Sequence, residues 1–353
     1  MKKIIFILTF FLIIYIPYIV GAQNGINIID DIDYPKGYDI ESIIEDTKKG
    51  EMPITFSYVT DKVASLFIGG IKENIPNIIK MMAVSILSGL VINLSKEKNE
   101  MATTAAVAIA ATIALKTFTY AVALANETID GLFLFISSLM TPLATVMTAG
   151  GVAMGGATAA TFVAMQVFIN ICKTLLLPLV CVITAFSVSD KIGKTPYLKG
   201  VSAILKQILK WGTGFMITVY SVVVGLQAQA ASGFDSLAGK SIKYAVGSFV
   251  PVVGGALSDS LETVIAGAKT MAGALGIAGV IGVGYICIVP LINVCVVSLS
   301  FKLVAAIASV ASEKRVSEVI DEFSQNIGRV SLILLSVAVM FILSLAMLCG
   351  FGR

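Results

Sequence analysis

The residues best suited to chemistry lie in one stretch, 233–269, where charged side chains alternate with glycine and proline inside an otherwise apolar chain. Broken helix at membrane depth is tolerated only where protein or a water-filled cavity surrounds the free backbone groups. The pattern favours an element that lines a pore or cavity, or else a kinked, packed hairpin whose charges lie at the membrane interface. The candidate lining residues of this stretch are Lys243, Gly247, Pro251, Gly254, Gly255, Asp259 and Glu262.

A further candidate lining residue is Lys116, which lies inside a long apolar run. An ammonium group at that depth usually faces the interior of a helix bundle or an aqueous path. The alternative is that the lysine stem snorkels toward the membrane interface and keeps its charge in water. No carboxylate at similar depth is an evident partner, which argues against a proton-coupled transporter.

The composition argues against most catalytic chemistry. The chain contains no histidine, which excludes histidine–metal sites and histidine-based nucleophilic catalysis. Its cysteines fall in apolar runs without clustered spacing, which is typical of small buried hydrophobes. The sequence has no phosphate-binding glycine loop and no nucleic-acid-binding motif. We therefore predict no enzyme activity, no metal, no cofactor and no nucleic-acid partner.

The elements that must position these residues are membrane helices. Apolar residues make up 57% of the chain and charged residues 13%, and the mean hydropathy is +0.94. Since ~20 apolar residues cross a bilayer as a helix, we predict an all-α, polytopic membrane protein with about 8–10 transmembrane or re-entrant helices. The spans are predicted near 76–94, 101–124, 130–149, 151–170, 172–189, 212–230, 244–262, 271–289, 291–310 and 331–350.

Glycines at a spacing of three residues mark one of these spans. Small residues let helices approach closely, so we predict that they pack against a neighbouring helix, with a flexible gate as the alternative. The candidate packing residues are Gly273, Gly276, Gly279 and Gly282.

Three regions are expected along the chain. Residues 1–22 have the basic start, apolar run and small-residue end of a signal peptide, with an uncleaved anchor as the alternative. Residues 23–75 form a small acidic extracytoplasmic region, and residues 76–350 form the multi-span membrane domain. Most lysines and arginines of the predicted loops, including those at 95–100 and 311–330, fall on one side, which the positive-inside rule makes cytoplasmic.

The membrane domain contains a candidate internal repeat, 130–231 and 243–350. Pro142 and Pro178 of the first half correspond to Pro251 and Pro290 of the second. Each half also carries an amphipathic connector before its last span. The apolar faces of these connectors are Val201, Ile204, Leu205, Ile208 and Leu209, and Val316, Val319, Ile320, Phe323 and Ile327. This indicates a parallel 4+4 repeat as found in many transporters, with chance similarity among apolar helices as the alternative.

The stretch AGKSIKYAVGSFVPVVGGALSDSLETVIAG resembles the stage III sporulation protein AE family of endospore-forming bacteria. The residues that match the family pattern are Gly247, Phe249, Pro251, Val252, Val253, Gly254, Asp259, Glu262, Thr263 and Val264. The run ICKTLLLPLV, the signal sequence, the acidic exported region and the terminal span agree with the family as well.

This resemblance implies a location in the mother-cell membrane that surrounds the forespore. It implies a non-catalytic part in the channel or secretion-like complex that joins the two cells, as a conduit or an assembly scaffold. The implied partners are a cytoplasmic ATPase, ring-forming intermembrane proteins and the lipid bilayer, with self-association left open. The alternative is a stand-alone permease for small molecules.

Overall fold

The structure is a computed structural model that describes residues 56–94, 100–149, 155–193, 197–249, 254–311 and 314–350. Within these ranges the description leaves out the side chains of 56–63, 90–94, 141–160, 227–278, 280, 281, 311 and 346–350, and those of the single residues 66, 73, 77 and 88. These residues form helices α1 (Phe56–Leu94), α2 (Glu100–Ala149), α3 (Gly155–Ile171), α4 (Leu177–Ile192), α5 (Lys199–Phe249), α6 (Gly254–Ala311) and α7 (Lys314–Gly350), and the π-helical turn Cys172–Leu176 joins α3 to α4. No strand occurs in this part of the chain, which confirms the all-α prediction.

The predicted spans 101–124 and 130–149 form the single helix α2. The polar residues between them do not end the helix, since the stretch contains neither glycine nor proline. Asn126 and Thr128 instead donate side-chain hydrogen bonds to backbone carbonyls one turn earlier, at 3.3 and 2.7 Å. A polar side chain satisfied in this way can remain within a helix.

The predicted spans 151–170 and 172–189 also join, through the π-helical turn. The Leu177 N–H donates to the carbonyl of Cys172, five residues earlier, which widens the helix at this point. Proline at 178 lacks an N–H and would clash with the carbonyl of the preceding turn in a regular α-helix. The wider turn directly before it lets α3 and α4 run on as one rod.

Helix α6 carries the predicted spans 271–289 and 291–310 through Pro290 without a break. In the part of the chain that the structure describes, these spans expected as pairs are therefore continuous helices. Five stretches of the described residues are long and apolar enough to span a membrane: Glu100–Met140, Thr161–Ile192, Lys199–Leu226, Gly282–Val310 and Lys314–Leu345.

Helix α7 lies at the centre of the bundle and contacts α2, α4, α5 and α6. The predicted apolar face of its first half is buried, as expected from its spacing. The residues of that face are Val316, Val319, Ile320, Phe323 and Ile327, each at most 1% exposed. The corresponding face of α5 differs, because Leu209 is buried whereas Ile204 and Ile208 are more than half exposed. Helix α5 is continuous from Lys199, so the predicted connector is the first part of a spanning helix.

Helices α6 and α7 form an antiparallel hairpin. The hydroxyls of Ser298 and Ser324 each donate to the other residue's backbone carbonyl at 2.8 Å, and Ser317 donates to the carbonyl of Ala305 at 2.8 Å. Helix α2 runs parallel to α7, with Phe118 beside Phe323. These three bonds satisfy hydroxyls across the hairpin, while other buried hydroxyls, such as those of Thr184 and Ser300, donate to carbonyls of their own helices.

The predicted regions lie only partly within the described residues. The signal peptide and most of the acidic region lie outside them, and α1 runs through the expected boundary at residue 75.

The candidate repeat can be located on the helices. In this repeat, the pair α4 and α5 corresponds to the pair α6 and α7. Lys206 near the start of α5 bonds Glu322 near the start of α7, so the second helix of each pair runs in the same direction. The internal repeat remains a prediction, and the parallel direction of α5 and α7 is consistent with it.

Candidate functional site

Three carboxylates on one turn of α7 organise the polar part of the bundle. Glu318, Asp321 and Glu322 are three and four residues apart, so they point to adjacent directions around the helix. Each one pairs with a lysine from a different helix. These lysines are Lys191 of α4, Lys302 of α6 and Lys206 of α5. We call these six residues the charged layer, and the end of the bundle that holds them the basic end.

The charged layer joins segments that are distant in sequence. Lys191 donates to Glu318 at 2.5 Å, and Lys206 donates to both oxygens of Glu322 at 3.0 and 2.8 Å. The side chains of Lys206 and Glu322 are only 23% and 16% exposed. Partial burial weakens solvent screening, so this pair is worth more than an exposed one, while loss of either partner would strand a charge.

Apolar packing closes the bundle next to the charged layer. Phe118 of α2 and Phe323 of α7 meet edge to face with ring centroids 6.1 Å apart, and both are almost fully buried. Farther along the same helices, Leu139 and Leu345 pack together at α6. The described interior between α2, α6 and α7 is therefore filled by side chains, as in a packed protein core.

A second level of charge lies just before α4, at the opposite end of that helix from Lys191. Lys173, in the π-helical turn, donates to Asp130 of α2 at 2.5 Å. It is 18 residues from Lys191 of the charged layer, which corresponds to ~27 Å along a helix. This separation is close to the ~30 Å thickness of a bilayer's hydrocarbon core. Residues 174–189 of the rod are thus a largely apolar stretch of about membrane thickness with an interhelical ion pair at each end.

Lys116 lies on the exposed side of α2, whereas Ala114 and Phe118 of the same turn point inward. It is one turn from the contact of Phe118 with Phe323, which places it at the level of the charged layer. The position suits a snorkelling lysine, and Lys116 does not line the described interior.

Two of the predicted packing glycines lie at close helix contacts. A Cβ at Gly279 would come within 3.0 Å of Leu345 and 3.1 Å of Leu139, and one at Gly282 would overlap the ring of Phe135. The absence of a side chain is therefore what lets α6 approach α2 and α7 here. Gly273 and Gly276 lie farther up the same helix, and their surroundings lie outside the described side chains.

The structure describes little of the predicted lining stretch. Lys243 and Gly247 belong to the last turns of α5, and the residues from Gly254 to Glu262, with Gly255 and Asp259 between them, to the first turns of α6. Their side chains and all of Pro251 lie outside the described residues. Gly282 contacts Phe135, and Phe135 is 19 residues, or ~28 Å, along α2 from Lys116. The predicted packing glycines and the predicted lining residue Lys116 are therefore far apart.

The charged layer was not predicted from the sequence. Its acidic members lie in the amphipathic part of α7, where charges are expected on a solvated face. The sequence carries one signal for this layer, which is Lys302. Like Lys116, Lys302 is a lysine within the apolar run of a predicted span. Asp321, the partner of Lys302, lies on the other side of the hairpin turn.

Long apolar helices packed around one central helix define this chain as a polytopic helical membrane protein. The chain belongs to the stage III sporulation protein AE family, whose family model matches residues 38–352. It is 24% identical over 246 residues to the stage III sporulation protein AE of Bacillus subtilis (strain 168), a match that covers 68% of this chain and 61% of that relative's length. No solved structure matches the chain.

Proposed function

We propose that this protein is a membrane component of the secretion-like complex that joins mother cell and forespore during sporulation, and that it serves there as an assembly scaffold. The observation that carries the proposal is the match to the sporulation family over residues 38–352. The proposed location is the mother-cell membrane around the forespore. The proposed partners are the complex's cytoplasmic ATPase and its ring-forming intermembrane proteins, and the role is non-catalytic.

The length of the helices supports a scaffold. A straight helix of the 50 residues of α2 measures ~75 Å, more than twice the ~30 Å of a hydrocarbon core. Part of such a helix extends beyond the lipid, where it is available to proteins on either side. Exposed apolar residues mark this surface at the basic end, since Met101 is 84% exposed and Val310 is 89% exposed. Large apolar side chains outside the lipid favour contact with a partner protein.

The packed interior argues against a conduit that runs through a single chain. A conduit needs a polar or hydrated path, and the described interior around Phe118, Phe323 and Leu345 is apolar and filled. Any conduit would then run between copies of the chain or beside the stretch 233–269. A conduit of this kind is the second role that we propose for the protein in the complex.

A stand-alone permease is the alternative function. The candidate repeat and the glycine-rich stretch favour it, because transporters are often built from repeats with interrupted helices. The purified chain reconstituted alone in liposomes should not move small metabolites if it is a scaffold. Uptake that saturates with substrate, in the absence of partner proteins, would establish the permease instead.

Site-specific photo-crosslinking in sporulating cells tests the scaffold directly. A photoreactive amino acid at Met101 or Val310 should crosslink to other proteins of the complex. Ala114 is the matched control, because it lies on α2 with no exposed surface. Products at Met101 and Val310 but not at Ala114 would support the scaffold. Equal labelling at all three positions, or none at any, would count against it.

A further inference from the structure

A groove of about 740 Å³ lies between α5 and α7 at the basic end of the bundle. Its volume is in the range of ligand-binding pockets, ~300–1,000 Å³. One end of the groove is basic, with Lys206, Lys210 and Arg329 in its wall. Ile217, Leu332 and Val339 belong to the apolar remainder of the wall. The groove is thus amphipathic along its length.

The basic end of the groove carries more positive charge than its neighbours neutralise. Lys206 is occupied by Glu322. Arg329 donates hydrogen bonds to the neutral side chains of Asn326 and Gln325. Lys210 is exposed and makes no ion pair with a residue that the structure describes. Glu322 also acts on the Arg329 guanidinium through its charge, so three cations face this one carboxylate. A net positive charge remains for an anionic group, and Lys210 and Arg329 are the cations that could bind it.

The length of the groove matches one leaflet of a bilayer. From Arg329 to Val339 the wall on α7 extends ten residues, or ~15 Å. That is half of the ~30 Å hydrocarbon core. Trp211 lies at the basic end and is 71% exposed, the position that indole side chains favour at a membrane interface. Along the groove, the charges, the indole and the apolar wall come in the same order as the headgroup, the interfacial region and the acyl chain of a membrane lipid.

We infer that this groove binds one anionic phospholipid, with its phosphate on Lys210 and Arg329 and an acyl chain along the apolar wall. The charge of the site selects this occupant, since the choline of a zwitterionic lipid would offset the charge of its phosphate and a second copy's apolar helix would bring no counter-charge. The positive-inside rule places the basic end in the cytoplasmic leaflet, where anionic lipids attract basic residues by ~1 kcal/mol each, about fivefold in affinity.

The single tryptophan of the chain, Trp211, reports on the groove directly. The full chain is placed in phosphatidylcholine nanodiscs that contain a minor fraction of brominated phosphatidylglycerol or brominated phosphatidylcholine, and quenching of Trp211 is measured. The wild type should favour the anionic quencher by at least about fivefold. In the double variant Lys210→Gln and Arg329→Gln, the two brominated lipids should quench Trp211 equally. Lys80→Gln combined with Lys116→Gln, which removes two exposed charges from α1 and α2, should retain the preference.

Three results would overturn the inference. Equal quenching of the wild type by the two lipids, or a preference that survives loss of Lys210 and Arg329, would show that these cations do not select the lipid. Trp211 shielded from both quenchers in a chain that migrates as a dimer would show that a second copy covers the groove. Soluble glycerol phosphate should not compete, because it lacks the acyl chain. If the double variant fails to fold, Lys210→Glu, a change at an exposed residue, should remove the preference alone.

Discussion

Lys206 of α5 donates hydrogen bonds to both carboxylate oxygens of Glu322 on α7, at 3.0 and 2.8 Å. Each residue lies near the start of its own helix, so the bond fixes two parallel helices in register. Glu318 and Asp321 connect α7 in the same way to α4 and α6. Because one turn of α7 holds three neighbouring helices, changes there should affect the whole bundle.

Replacement of Glu322 by glutamine should destabilise the bundle. The change removes the counter-charge of Lys206, which is only 23% exposed. We expect a loss of about 1–3 kcal/mol in the free energy of unfolding, below the roughly 3–5 kcal/mol seen for fully buried pairs. Reversible unfolding in detergent micelles, with SDS as the denaturant, measures this.

Exchange of the two partners provides the internal check on that prediction. Lys206→Glu combined with Glu322→Lys should recover most of the stability that either single reversal loses. Lys314→Gln is the control, since Lys314 is 88% exposed and 3.9 Å from Glu318, and it should cost less than about 0.5 kcal/mol. Equal losses for Lys314→Gln and Glu322→Gln would contradict a special role for the layer.

Replacement of Gly282 by alanine should destabilise the contact between α6 and α2. The added methyl group would overlap the ring of Phe135, and overpacking of this kind costs about 1–3 kcal/mol. Gly284→Ala is a matched control two residues away, where a Cβ meets nothing within 4 Å. That change should be neutral or stabilise by up to ~1 kcal/mol through helix propensity. Phe135→Leu should relieve part of the cost in the Gly282→Ala background, and the absence of any relief would refute the overlap.

Replacement of Lys116 by methionine should leave the protein functional. Because the side chain is on the exposed face of α2 and makes no contact in the described interior, methionine should insert at least as well and keep the fold. Membrane accumulation and spore yield in a complementation assay should both equal the wild type. Normal accumulation together with loss of spores would instead assign Lys116 to an aqueous path.

The orientation of the bundle can be tested with two exposed residues. Ala203 lies near the charged layer, and Asn170 lies just beyond the Lys173 level of charge. In a background without native cysteines, Asn170→Cys should react with an impermeant thiol reagent in intact cells and Ala203→Cys should not. The reverse pattern would invert the topology and move the proposed lipid groove to the other leaflet.

The residues of the chain determine its class and its family without reference to any tertiary contact. Membrane residence follows from composition, and the buried face of α7 from a spacing of three and four residues, because both are local properties of the chain. The glycines at 279 and 282 were recognisable for the same reason, since a missing side chain allows close approach whichever helix is the neighbour.

The tertiary structure decided where helices end and which charges meet. Polar residues at 126–128 suggested a loop, but carbonyls within α2 accept their hydrogen bonds. Lys206 and Lys191 find their carboxylates 116 and 127 residues away, and no local pattern encodes partners at that separation. A linear count of apolar residues also cannot place Lys116 relative to the membrane, because α2 is far longer than a bilayer is thick.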